Sequence, residues 1–161
     1  MHIKFNSYYL NTIFINSLKP KSKMHFSTNN DLNVELYKWF SGFTDAKGTF
    51  MIVSPVKGFN FKFSIGLHAD DLNVLKYIKD KLGFGNIYTS NNTCHFIVKK
   101  KEDILKLINI FDLYLLSSTK RFDYLDFKKA YCLYQDRDEL TQVLINQILD
   151  IKIIWTILAS A

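Results

Sequence analysis

An unbroken alternation of apolar and polar residues covers residues 59–68. The apolar positions all fall on one side of an extended chain, and the polar positions all fall on the other. This period of two is typical of a β-strand with one buried face. The apolar members are Phe59, Phe61, Phe63, Ile65 and Leu67, and the polar members are Asn60, Lys62, Ser64, Gly66 and His68. Such a strand needs a sheet that helices cover on one side only, so we expect the apolar face to lie under helices.

The segments on either side predict a mixed α+β domain. In order, they indicate a helix from Asp31 or Asn33, a strand over 50–56, the alternating strand, a helix over 70–82, strands over 86–90 and 93–99, and helices over 101–111 and 119–134. The sequence therefore predicts two successive helix–hairpin units followed by helices, with an antiparallel sheet.

Local signals predict how several of these elements begin and end. Asp70 or Asp71 is a suitable N-cap for the second helix, and Gly83 is a suitable end for it. The pair Asn91-Asn92 tolerates the positive φ of a tight hairpin turn, and Pro55 with Gly58 places a turn near Lys57. The apolar side of the helix over 119–134 is predicted to carry Phe122, Leu125, Phe127, Ala130 and Tyr131.

The composition fits a basic protein of one domain with extensions. The chain has 161 residues, 48% of them hydrophobic, and a net charge of +6. Of its basic residues 19 are Lys and 2 are Arg, and Phe, Tyr, Ile and Asn are abundant, which suggests an AT-rich genome such as a mitochondrial one. The positive charge is consistent with a polyanionic partner.

Other features limit the compartment and the function class. The two cysteines, Cys94 and Cys132, have neither a metal-binding spacing nor a disulfide framework, so a reducing compartment is expected. The apolar run over 143–158 is interrupted by Asn146, Gln147, Asp150 and Lys152, so we predict no transmembrane segment.

We divide the chain into a basic N-terminal extension (1–32), a folded domain (33–134) and a linker-like C-terminal helix or tail (135–161). The first 30 residues contain four lysines and no acid. A transit peptide, an upstream extension of a gene read within an intron, and a plain tail all fit this composition.

The segment 39–50, Trp-Phe-Ser-Gly-Phe-Thr-Asp-Ala-Lys-Gly-Thr-Phe, joins a predicted helix to a strand. Gly42 and Ala46 are four residues apart, so they share one helix face and would let another backbone approach closely. Lys47 suits the helix dipole at this end, and Gly48 suits an ordinary left-handed cap.

The nine residues 40–48 resemble the signature helix of the LAGLIDADG homing endonucleases and maturases. The match lies at Gly42, Phe43, Asp45, Ala46 and Gly48. The segments 67–72, 81–83 and 118–124 are also similar to that family, so the resemblance covers about residues 33–134. It implies an αββαββα core and pairing through the face of Gly42 and Ala46, with a second copy or with a second domain of the family.

The resemblance also implies a metal-dependent nuclease, with Mg²⁺ held by one carboxylate from each of two paired signature helices. The position of that acid is Lys47 in this chain. Asp45 is the remaining nearby carboxylate, and it is the alternative catalytic residue and metal ligand, although its position in the family is mostly structural. A lysine in place of a ligand repels the cation, so an unaided active site is not expected.

Outward positions on the predicted strands supply a candidate DNA-binding face. Asn, Ser and His side chains can contact base edges, and Lys can contact phosphates. An ordinary solvated sheet face would have similar polarity, and the family resemblance favours nucleic acid. The residues are Lys62, Ser64, His68, Asn86, Tyr88, Ser90, His95 and Lys99.

Four functional hypotheses follow. The first is an intron-encoded mitochondrial homing endonuclease that binds and cuts specific double-stranded DNA, and the second is a maturase that binds structured intron RNA without cutting. The third is a decayed first half of a two-motif endonuclease, because no second signature helix follows. The fourth, outside the family, is a small α/β RNA-binding module, which would need aromatic residues on the exposed face, where only Tyr88 qualifies.

Overall fold

A computed structural model describes the backbone of residues 30–54, 58–135 and 139–158, and the side chains of 33–54, 58–135 and 139–151. The predicted extension over 1–32 lies almost wholly outside the described residues. The elements are α1 (Asn30–Lys47), β1 (Gly48–Val53), β2 (Asn60–His68), α2 (Leu72–Leu82), β3 (Asn86–Thr89), β4 (Thr93–Val98), α3 (Lys101–Leu113), α4 (Lys120–Gln135) and α5 (Gln142–Leu158).

The four strands form one antiparallel sheet in the order β1-β2-β4-β3. Its inner face packs on the helices through aromatic rings. Phe63 of β2 lies 5.2 Å from Phe50 of β1 between ring centroids, and Phe40 of α1 stacks on Phe111 of α3 at 5.5 Å. The order of elements and the single covered face confirm the predicted α+β architecture with its αββαββα core.

The alternation along β2 is confirmed at most positions. Phe61, Phe63 and Ile65 are buried, and His68 is exposed, as predicted. The expected exposure of Ser64 is wrong, because this side chain is only 8% exposed. Ser64 points to the outer side of the sheet but is short, and β2 is an inner strand flanked by β1 and β4. Its neighbours therefore cover it.

The first helix and strand differ from the predicted bounds. The helix is already formed at Asn30, so Asp31 and Asn33 lie within it rather than capping it. The strand begins at Gly48, two residues before the predicted start, because the chain passes from α1 directly into the sheet. The predicted turn at Lys57 lies outside the described residues.

The second helix begins differently from the prediction. A 3₁₀ turn, Ala69–Asp71, precedes α2, and the imidazole of His68 accepts a hydrogen bond from the Asp70 backbone N–H at 3.4 Å. Asp71 is the N-cap residue of α2, but its side chain makes no capping hydrogen bond. The predicted end is confirmed, since Gly83 has φ 72° and donates its N–H to the Lys79 carbonyl at 2.9 Å.

The hairpin of β3 and β4 closes without the predicted positive φ. No non-glycine residue among those described has a positive φ. The Ser90 N–H donates to the Thr93 carbonyl at 2.8 Å, and the Asn92 carbonyl accepts from Ala69 at 3.0 Å. A contact from the preceding 3₁₀ turn thus helps to hold the loop.

The apolar side of α4 was predicted incorrectly at two positions. Phe122 is 65% exposed and Leu125 is 45% exposed, whereas Phe127, Ala130 and Tyr131 are buried as expected. Tyr124 is buried against α3 instead, because its hydroxyl forms a hydrogen bond with a polar partner there. That hydroxyl lies 2.6 Å from the Asp112 carboxylate of α3. Burial, followed by the Asp112 charge, raises the pKa of Tyr124, so the phenol stays neutral.

The C-terminal segment contains a helix that packs on the domain. Ile148 and Ile151 of α5 are buried, and α5 packs against α4. This supports the helical alternative for 135–161. Within the described residues, no helix combines the length and the apolar character needed to cross a bilayer.

Gly48 is required for space rather than for a left-handed cap. The described glycines with positive φ are Gly58, Gly83 and Gly85, so the predicted cap conformation at Gly48 is wrong. A Cβ at Gly48 would lie 2.5 Å from Thr44 Cγ2 and 2.8 Å from the Thr44 carbonyl oxygen. The absence of a side chain lets β1 start directly against the last turn of α1.

We predict that Gly48→Ala destabilises the domain by about 1–3 kcal/mol, because backbone atoms must move to admit the methyl group. Gly42→Ala is the matched control, since no other part of the described structure lies within 4 Å of its Cβ position. It should leave stability unchanged or raise it by up to about 1 kcal/mol. Urea unfolding followed by circular dichroism measures both. Equal midpoints for the two variants would contradict this account.

Candidate nucleic-acid interface and helix end

The carboxylate of Asp45 ties the end of α1 to the connection between α3 and α4. Its Oδ2 accepts from the Ser117 N–H at 2.8 Å, and its Oδ1 accepts from the Ser118 N–H at 3.1 Å and the Ser118 hydroxyl at 2.7 Å. The Ser118 hydroxyl in turn accepts from the Lys120 N–H at 3.1 Å at the start of α4. Asp45 therefore orients two helices at once.

This environment lowers the pKa of Asp45. Burial alone would raise it, but three effects together outweigh burial: the Ser118 hydroxyl, the N–H groups of Ser117 and Ser118, and the positive charge of Lys120. The carboxylate is thus held ionised by contacts within the domain.

A second contact holds α1 one turn earlier. The Ser41 hydroxyl is buried and donates to the Tyr114 carbonyl at 2.7 Å. Ser41 and Asp45 are four residues apart, so both contacts lie on the same side of the helix. That side of α1 is fixed against the α3–α4 connection.

Another side of α1 is exposed. Gly42 and Ala46 are both exposed, and among the described residues no atom outside the adjoining backbone of α1 lies within 4 Å of the Cβ position of Gly42. Beside them Trp39 stacks on Phe43 at 5.2 Å and meets Tyr77 of α2 edge-on at 5.7 Å. The two small residues predicted as an association surface therefore form a shallow stripe beside an aromatic cluster.

The end of α1 does not fit a magnesium ion within this domain. Mg²⁺ needs carboxylate or other oxygen ligands, but the side chain at the family's acid position is Lys47, which is exposed. The alternative ligand, Asp45, already accepts three hydrogen bonds. Across the described residues, no group of three or more His, Cys, Asp or Glu side chains could hold a metal. The proposed metal role of Asp45 is not supported by this geometry.

The outer face of the sheet brings most of the predicted DNA-binding residues together. Strand register places Gly66, His95 and Tyr88 in one row across β2, β4 and β3. The adjacent row contains Ser64, Ile97 and Asn86. We name this surface, which also includes Lys62, His68 and Lys99, the outer face.

The residues of the outer face differ in how exposed they are to solvent. Asn86, Tyr88, Ser90 and Lys99 are exposed, and Lys62 and His95 are half-buried. The Lys99 ammonium lies 5.9 Å from the centre of the Tyr88 ring. Ser64 is the one predicted member that is buried.

Glycine at position 66 makes room for His95. A Cβ there would lie 3.0 Å from both Cε1 and Nδ1 of the imidazole. His68 is turned towards the neighbouring 3₁₀ turn, with its Nδ1 3.1 Å from an Asp70 carboxylate oxygen. His68 is therefore paired with Asp70, whereas His95 lies over Gly66.

The predictions missed the part of the outer face that β1 contributes. Thr49 pairs with Ser64, and Met51 pairs with Lys62, so both lie on the outer face. Thr93 and Ile97 of β4 belong to it as well. Phe50 and Ile52 alternate with Thr49 and Met51 along β1, so the burial of the first two would have identified the last two as outer-face residues. This signal is weak in the sequence, because β1 is short and follows a helix directly.

These features have counterparts in known proteins. The family model described as LAGLIDADG endonuclease matches residues 40–131. That match spans more than half of the chain, so the protein belongs to the LAGLIDADG endonuclease family. The family resemblance of the signature helix is thereby confirmed.

Similar proteins include fungal intron-encoded and mitochondrial proteins. A probable intron-encoded endonuclease, Cox1-I1b of Schizosaccharomyces pombe, is 31% identical over 121 residues, which is 71% of this chain and 32% of that protein. The mitochondrial protein RF1 of Saccharomyces cerevisiae is 30% identical over 105 residues, 63% of this chain and 22% of that protein. The chain thus spans about a third or less of these relatives.

Among solved structures, the LAGLIDADG meganuclease I-CpaMI bound to uncleaved DNA is similar, with a TM-score of 0.67 and 30% identity. The match covers 72% of this chain and 42% of that one. The likeness confirms the fold.

Asp45→Asn should lower the stability of the domain by about 1 kcal/mol near neutral pH, because the charged acceptor is lost. The folded-state pKa of Asp45 lies below its unfolded-state value. Its contribution is therefore complete above the unfolded-state value, near 4, and disappears as pH falls through the folded-state value. Unfolding of both proteins should be followed from about pH 6 to about pH 2. A stability difference that does not shrink in acid would rule out this role.

Proposed function

We propose that this chain is the DNA-binding domain of an intron-encoded homing endonuclease, and that double-stranded DNA lies along the outer face. The observation that carries the proposal is the outer face itself. It presents amide, hydroxyl, imidazole and phenol groups in adjacent rows over β2, β4 and β3, and lysines at one end. Groups of the first kind can contact base edges, and the lysines can contact phosphates.

The charge and the relatives support duplex DNA as the ligand. The net charge of +6 favours any polyanion, so it supports binding without selecting DNA. The similar protein I-CpaMI has been solved bound to DNA. The antiparallel sheet of this chain has one face open to solvent, which offers a surface on which such a duplex can lie.

Cleavage by this domain is expected to be weak or absent, because Lys47 replaces the family's acid. The interaction energy of two unit charges about 4 Å apart is about 4 kcal/mol at an effective dielectric constant near 20. Exchanging attraction for repulsion of a divalent cation therefore costs several kcal/mol. Asp45 is a poor substitute, because its carboxylate already accepts three hydrogen bonds from Ser117 and Ser118.

Pairing with another signature helix would use the exposed side of α1. Gly42 and Ala46 leave room for a close backbone approach, and Trp39 adds apolar surface next to them. A second copy would bring a second Lys47, whereas another domain of the family could bring an acid. We propose the latter partner for an active complex, with Mg²⁺ supplied by the solvent.

A maturase role is the second candidate function, and Lys47 is the observation that favours it. A basic helix end suits a phosphate-rich RNA better than it suits a metal ion. The relatives named above point to mitochondria as the site of action in either case.

The binding proposal is tested with the full chain, duplex DNA and structured intron RNA over a range of salt concentrations. Lys62→Gln and Lys99→Gln should each lower the slope of log K against log salt by about 1 on duplex DNA, since each removes one phosphate contact. Lys76→Gln, an exposed lysine on α2, should leave the slope unchanged. Equal slopes for all four proteins would exclude the outer face, and tighter binding to the RNA than to any duplex would favour the maturase.

Lys47→Asp should convert a weak or inactive protein into one that cleaves its bound duplex in magnesium. The change restores an acid at the helix end and reverses the local charge by four units across a pair of copies. Cleavage is measured on end-labelled duplex. Adding Gly42→Leu to Lys47→Asp should abolish the gain, because the larger side chain blocks helix pairing. Robust cleavage by the unaltered protein would show that the catalytic carboxylate lies elsewhere.

A further inference from the structure

Gly66 lies inside β2, and its backbone conformation does not require glycine. The described glycines with positive φ are Gly58, Gly83 and Gly85, so residues with side chains could adopt the conformation of Gly66. Glycine weakens the interior of a strand, and it often marks a place where another group approaches closely. Glycine at this position is therefore explained by the space that it leaves.

The space over Gly66 is taken by one group, the imidazole of His95. His95 lies opposite Gly66 in the register of β2 and β4. A Cβ at position 66 would lie 3.0 Å from both Cε1 and Nδ1 of His95, and among the described residues no other atom outside the adjoining chain comes within 4 Å. Because neighbouring strands are about 4.8 Å apart, the ring has to lean from β4 across to β2.

Part of this imidazole remains available to a ligand. Only Cε1 and Nδ1 come within 4 Å of the Cβ position, so the ring meets Gly66 with one edge and Nε2 lies farther away. Within the described part of the chain, His95 has no hydrogen-bond partner. Its neighbour on the other side, Tyr88, is 52% exposed, so the row is open to solvent there. A ring nitrogen held in this way can form one hydrogen bond with a base edge.

We propose that His95 and Gly66 together determine the base preference at one position of the bound duplex. His95 contacts the base edge, and Gly66 is the positioning residue that lets the imidazole lie across β2. This inference rests on the proposed function, since the duplex must lie on the outer face.

The proposal makes the base preference sensitive to a methyl group on the neighbouring strand. A Cβ at position 66 would be 3.0 Å from the ring, which is shorter than an ordinary contact of about 3.5–4.0 Å, so the ring would have to move. Hydrogen bonds weaken steeply when their length and angle change. A substitution in β2 should therefore alter specificity through a side chain of β4.

The test uses the full chain and a duplex that it enriches from a random-sequence pool, together with every single-base variant of that duplex. His95→Ala should reduce the base preference at one position by about fivefold, which corresponds to one hydrogen bond, and leave the other positions unchanged. Gly66→Ala should reduce the preference at the same position. In the double variant, Gly66→Ala should add nothing to the effect of His95→Ala, because it acts through the ring alone.

Gly48→Ala is the matched control. It is the same substitution in the neighbouring strand, but Gly48 is buried and its Cβ would meet Thr44 and Phe63 instead of His95. This variant should be less stable and keep the base preferences of the unaltered protein. A general loss of stability is thereby separated from a change in specificity.

An unchanged preference in His95→Ala would overturn the proposal, and this result decides the question even if Gly66→Ala does not fold. The same conclusion would follow from a folded Gly66→Ala protein with unaltered preferences, or from additive effects of the two substitutions. In each of these cases the duplex is still bound, so the proposed function stands. If the unaltered protein enriches no duplex, the proposed function and this inference both fail.

Discussion

The hydrogen bonds of the Asp45 carboxylate determine much of what this domain can do. They fix the end of α1 to the start of α4 through Ser117 and Ser118. Because one side of α1 is held in this way, the stripe of Gly42 and Ala46 is left exposed in a defined orientation. The same bonds occupy the carboxylate of Asp45, which stands two residues before the family's acid position. Structural anchoring and metal binding therefore compete for the same two oxygens.

Lys47 shows a similar conflict between stability and chemistry. A cation in the last turn of a helix is favoured by the helix dipole by about 0.3–1 kcal/mol, and an acid there is disfavoured. A metal site at a helix end has to overcome that preference. With Lys47 the helix end is stable by itself and needs no ion.

The local period of the sequence predicted the sheet well, because burial on one face alone is enough to specify β2. The errors arose at positions whose burial or hydrogen bonding depends on residues that are distant in the sequence. Ser64 is covered by neighbouring strands. Tyr124 is drawn inwards by Asp112, which leaves Phe122 exposed. The use of the Asp45 oxygens depends on residues more than 70 positions away, and no short motif encodes that contact.

The outer face and the helix end are built from different residues, and this allows binding and cleavage to be lost separately. The row of Gly66, His95 and Tyr88 depends on strand register and on the space that Gly66 leaves. Lys47 enters none of these contacts, so a charge change at the helix end leaves the row intact. A substitution at Gly66 would have the opposite effect, because it displaces His95 and leaves the end of α1 unchanged. Under the proposed function, a change at Lys47 that weakens metal-dependent cleavage therefore leaves the proposed nucleic-acid-binding surface intact.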